Sequence, residues 1–193
     1  MSSRCLWVGF LYLCMNPALR AEAFSVQDGT IDFTAKSNAG FTIHGTADLA
    51  KGRFQALQKG DALEITALDV TLPAKKFKTG MDLRDEHLYD RVFKDGTGSF
   101  KDIHVSAERF VCGGKAPTWE CEVPLDTEMR GVTKRLPYKV EIKALAHGYE
   151  INGLTHVSTP DYGVEKLVYM MVELNPDVDV EIKNARFEKD SAK

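Results

Sequence analysis

The chain has 193 residues, 44% of them hydrophobic, with 25 basic against 28 acidic residues and a formal net charge of −3. That balance excludes a nucleic-acid footprint, which needs a basic excess gathered in one region. The length suits one domain with a sizeable core.

Met1 to Arg4 carries one positive charge, and Cys5 to Met15 is an apolar run of eleven residues. Eleven apolar residues are too few to span a bilayer. Ala21-Glu22-Ala23 then places small residues where a signal peptidase reads them. These features predict a signal peptide over 1–23 and a mature domain over 24–193, periplasmic or secreted, with a charge of −4.

Period-two alternation begins at Gly29. Ile31, Phe33 and Ala35 alternate with polar residues, then Phe41, Ile43, Gly45 and Ala47 do so after the Asn38-Ala39-Gly40 turn. A short strand follows with Phe54 and Ala56. In the next strand the apolar phase slips from Leu63, Ile65 and Ala67 to Leu68, Val70 and Leu72, which predicts a β-bulge.

Asp82 to Lys94 is the clearest helical run, with Asp82 expected at the N-cap and Gly96 at the exit. At a hundred degrees per residue, Leu88, Tyr89, Val92 and Phe93 share one face. Glu86, His87, Asp90, Arg91 and Lys94 lie opposite. Asp85 falls within the apolar face. It reads either as part of the helix start, stabilised by the helix dipole, or as a polar contact for a ligand head group.

Ile103, Val105 and Ala107 resume the alternation. Cys112 and Cys121 bracket a turn-rich linker, and an even pair in an exported chain predicts a disulfide across a hairpin. Strands are then expected around Trp119 to Leu125, at Tyr138 to Ala146 (Tyr138, Val140, Ile142, Ala144), at Tyr149 to Val157, and at Val178 to Ile182. Glu165 to Leu174 is apolar without a clear period. About eight one-sided strands with one helix give an all-β chain, either a closed barrel or a two-sheet sandwich.

No catalytic set is visible. The five histidines show no metal-ligand spacing, there is no Gly-x-Ser-x-Gly elbow, and Asp85, Glu86 and His87 diverge around a helix. The expectation is no enzyme, no metal and no cofactor.

The segment Arg84-Asp85-Glu86-His87-Leu88 resembles the Arg-Asp-x-His-Leu stretch of the YceI-like, polyisoprenoid-binding family. Arg130-Gly131-Val132-Thr133-Lys134 and Asp161-Tyr162-Gly163-Val164 are similar to two further segments of that family, in the same order. Arg135 stands where the family usually has Pro, and the cysteine hairpin looks like an addition. The resemblance implies an eight-stranded antiparallel lipocalin-like barrel with one short helix packed against it, and a tunnel for a polyisoprenoid, quinone or similar lipid tail. On alternation alone, the inward residues fill a solid interior as readily as they line a tunnel. The tunnel reading makes Ile31, Phe33, Phe41, Ile43, Phe54, Ile65, Leu88, Phe93, Val105, Val140, Ile142, Ile151 and Tyr162 the candidate walls, with Asp85 as head-group contact. Expected partners are an apolar lipid, a transient membrane surface and a second copy in a twofold dimer. The competing reading is an exported scaffold domain without a ligand.

Overall fold

The computed structural model describes residues 21–49, 51–169 and 171–191. The expected signal segment therefore lies outside the described residues except at 21–23, where Glu22 and Ala23 pair with Ala56 and Gln55.

Among the described residues ten strands form: β1 Glu22–Ser37, β2 Thr42–Asp48, β3 Lys51–Lys59, β4 Ala62–Leu72, β5 Ile103–Lys115, β6 Thr118–Met129, β7 Val132–Leu145, β8 Gly148–Ser158, β9 Val168–Tyr169 and β10 Val172–Lys189. These strands pair antiparallel throughout. The sheet runs β1-β3-β4-β5-β6-β7-β8-β10 and closes by pairing β10 with β1. Closure removes the free edges that a sandwich would leave. The result is an eight-stranded barrel, with β2 flanking the second half of β1 and the two-residue β9 flanking β10.

The phase slip in β4 is a bulge. Arg53 opposes Asp69 and Gln55 opposes Thr66, so Phe54 faces both Ala67 and Leu68. Ala67 takes a left-handed φ of 51°. The extra residue keeps Leu63 and Ile65 inward on one side of the bulge and Leu72 inward on the other. A second shift in β10, between Ile182 and Ala185, does the same for Ala185 and Phe187.

The helix differs from its sequence reading at both ends. Met81 is the N-cap and offers no side-chain hydrogen bond, while Asp82 is the first helical residue. The α-helical part, α1, spans Asp82–His87, and Leu88–Phe93 continues as a π-helical turn closed by Lys94 N–H donating to the Tyr89 carbonyl at 3.0 Å. Asp85 is buried, and its Oδ1 accepts from Thr79 N–H at 2.6 Å and from Thr79 Oγ1 at 2.5 Å. The carboxylate thus ties the incoming loop to the helix.

Arg130 and Gly131, both with positive φ, make the two-residue turn between β6 and β7. Arg130 Nη1 donates to the Arg91 carbonyl at 2.9 Å, so this turn holds the far end of the helix. At the opposite end of the barrel, Cys112 and Cys121 form the disulfide across the β5–β6 hairpin, with Cα atoms 4.8 Å apart.

Candidate functional site

Half of the barrel is solid. Phe24 stacks on Phe54 with ring centroids 5.4 Å apart, Phe54 meets Phe187 at 4.9 Å, and Tyr149 meets both Phe24 at 4.9 Å and Trp119 at 6.2 Å. Trp119 Nε1 donates to the Asp61 carbonyl at 3.0 Å, satisfying its one polar atom. Five of the candidate wall residues belong to this plug or its surroundings: Phe54, Ile65, Val140, Ile142 and Ile151. They point inward as expected and do not line the cavity. Alternation along a strand reports which face a residue is on, not how far along the barrel axis it sits.

The other half is hollow. A cavity of about 620 Å³ opens at the end where the helix lies, within the roughly 300–1,000 Å³ of small-molecule sites. Of the candidate wall residues, Ile31, Phe33, Phe41, Ile43, Leu88, Phe93, Val105 and Tyr162 line it. Phe33 reaches the wall because Gly45 on β2 has no side chain. A Cβ there would lie 2.2 Å from the Phe33 ring. Sequence reasoning missed much of the remaining wall. Val172, Leu174, Val178 and Val180 come from β10, and Leu167 and Val168 from the segment before it. Val178 and Val180 carried the alternating signal. The 165–174 stretch did not, because its short hairpin has too few residues to show a period. Leu72, Phe77, Ile103, Met129 and Val157 complete the apolar wall.

Polar groups in the wall fall into two sets. Buried within the wall, Thr127 Oγ1 and Tyr138 Oη share a hydrogen bond of 3.0 Å, and Tyr162 Oη donates to the Thr127 carbonyl at 3.4 Å. Burial pushes both phenols above their ordinary pKa, so they stay neutral in a neutral wall. At the opening, Arg84, His87 and Arg91 line the cavity from one side of the helix, beside Leu88 and Val92. On a helical wheel His87 and Arg91 fall on the wet face. The helix lies across the opening, so the side next to its apolar stripe borders the cavity instead of bulk water.

Arg84 is incompletely satisfied. Its Nη2 donates to the Thr79 carbonyl at 2.7 Å, while its buried Nε has no hydrogen-bond partner. Lys78 and Lys94 take the neighbouring acids Asp85 and Asp90. Among the described residues, no carboxylate lies within 4.0 Å of the Arg84 or Arg91 guanidinium. Asp85 itself does not line the cavity. What the arrangement can do chemically is hold an apolar tail in a closed-ended sleeve, with donors at its mouth.

Two solved structures share this architecture. A polyisoprenoid-binding domain from Saccharophagus degradans, implicated in plant cell wall breakdown, matches at a TM-score of 0.58 and 13% identity. That match covers 88% of this chain and 99% of that one. BcnA of Burkholderia cenocepacia matches at 0.52 and 10% identity, over 82% and 94% of the two chains. No curated protein matches the sequence significantly. At such identities the likeness speaks for the fold. The sequence itself matches the YceI-like domain across residues 23–185, nearly the whole of the barrel, and on that match the chain belongs to the YceI-like family.

Proposed function

We propose that this protein is an exported lipid carrier, not an enzyme, whose hollow end sequesters the tail of an isoprenoid, quinone or similar long-chain lipid. The observation that carries the reading is the cavity of about 620 Å³, walled chiefly by apolar side chains and plugged by aromatic rings at its inner end. The name of the Saccharophagus degradans domain points to the same ligand class. Arg84 and Arg91, which line the cavity from the helix, would meet the polar end of the lipid. A lipid bound in this way is cargo, so no cofactor is required.

Magnitudes set the size of the cargo. Each buried methylene contributes about 0.8 kcal/mol, so ten contribute about 8 kcal/mol. Losing translational and rotational freedom costs roughly 4–15 kcal/mol. A ten-carbon tail therefore holds weakly, and stable loading needs a longer one. Protein purified from its native host without detergent, then extracted with organic solvent and analysed by mass spectrometry, should release one long-chain lipid per chain. Repeated recovery of empty protein from that source would overturn the proposal.

A further inference from the structure

The exposed large hydrophobic residues are not scattered evenly. Phe41, Met81, Leu83 and Val168 all line the cavity and are all exposed, Phe41 by 64%. A fifth, Met171, is 92% exposed in the turn of the β9–β10 hairpin, next to the cavity residue Val172. They come from three separate segments: the β1–β2 turn, the start of α1 and the β9–β10 hairpin. Hydrogen bonds and an ion pair tie the base of this hairpin in place. Asn38 N–H donates to the Glu173 carbonyl at 2.9 Å, Glu173 N–H donates to Asn38 Oδ1 at 3.1 Å, and Lys166 pairs with Glu173 at 2.7 Å. The base of the hairpin at Glu173 is thereby bound to the turn that leads into Phe41.

We infer that this rim docks the open end of the barrel onto a lipid bilayer, with Met171, Phe41 and Leu83 entering the boundary between headgroups and acyl chains. The inference rests on the reading of the cavity as a lipid-tail site. The aromatic plug closes the inner end, so a tail passes through this opening. Pressed against a bilayer, the opening lets the tail move without crossing water, where each exposed methylene would be unfavourable. Exposed apolar rims of this kind mark interaction surfaces. Their continuity with a cavity lined by the Arg84 and Arg91 guanidiniums, which have no carboxylate within 4.0 Å among the described residues, suits phosphate headgroups over acyl chains better than a protein surface. The chain as a whole carries −3. The net charge supplies no overall attraction to an anionic membrane, so docking is driven chiefly by apolar insertion.

Sedimentation with vesicles of phosphatidylethanolamine and phosphatidylglycerol tests this. The purified protein should pellet with the vesicles, and Met171→Glu, outside the cavity wall, should lower partitioning by at least about tenfold. Val111→Glu, at an exposed apolar position near the plugged end, should change nothing. Thermal melts of both variants confirm folding. Vesicle-free protein in the supernatant, or Met171→Glu pelleting like the parent, would overturn the inference. So would a concentration-dependent dimer that Met171→Glu splits in the absence of vesicle binding, since the rim would then belong to a second copy. A water-soluble fluorescent prenyl analogue separates the two readings. If it binds and vesicles do not, docking fails alone; if vesicles bind and it does not, the cavity reading fails.

Discussion

Asp85 and Arg84 are neighbours with opposite situations, and the contrast decides what each is for. The Asp85 carboxylate is buried and takes two donors from Thr79, with Lys78 Nζ at 4.0 Å from its second oxygen. Hydrogen bonds to a charged group contribute about 1.5–3 kcal/mol each at most, and a buried donor left alone costs about 1–3 kcal/mol. Asp85→Ala should therefore lower the unfolding free energy in urea by roughly 2–3 kcal/mol, and Asp85→Asn, which keeps one acceptor oxygen, by less. A direct role at the ligand head would show the reverse, with unchanged stability and weakened binding. The helix wheel did place Asp85 on the inward face, so its burial was readable in the sequence. Its partner was not, because Thr79 lies six residues away in an irregular loop. Periodicity carries no information about such a loop.

At the scale of elements, the sequence revealed faces far better than positions along the barrel. The bulge in β4, the regular strands β7 and β10 and the Cys112–Cys121 hairpin follow from alternation and cysteine count. The division into a plugged half and a hollow half does not, since Phe54 in the plug and Phe33 in the cavity wall follow the same alternation. What separates them is strand stagger, a property of pairing between distant segments that one strand's pattern cannot report. The π-helical turn after His87 is likewise invisible to a 3.6-residue wheel. The disulfide sits at the plugged end, where Cys112 is fully buried beneath a hairpin nine residues apart in sequence. Replacing both cysteines with Ala should cost about 2–3 kcal/mol by freeing the unfolded chain. For a domain of this size that is a fall of roughly 5–10 °C in the melting midpoint. Prenyl-analogue affinity at temperatures below the transition should be unchanged, because the cavity lies at the other end.

For the whole molecule, the question is whether the empty half is a necessity or a defect. A barrel that needed only to be stable would fill its interior at crystal-like density, as the half around Trp119 and Phe54 does. Leaving the mouth half open forfeits packing contacts, so an added side chain there should have the opposite sign from one added to a finished core. Ala35 on β1 tests this, being buried, opposite Val178 and Ile43, and part of the cavity wall. In a solid interior, Ala35→Phe would overpack and cost about 1–3 kcal/mol. In the hollow barrel its ring enters open space. The free protein should hold or gain stability, since filled void contributes on the order of 20 cal/mol per Å³. The same ring occupies room that a lipid tail would use, so prenyl-analogue affinity should fall even as the melting midpoint holds or rises. Stability and binding moving in opposite directions is the signature of a cavity kept open for cargo. A variant that loses both together would show an interior whose own side chains already claim that space.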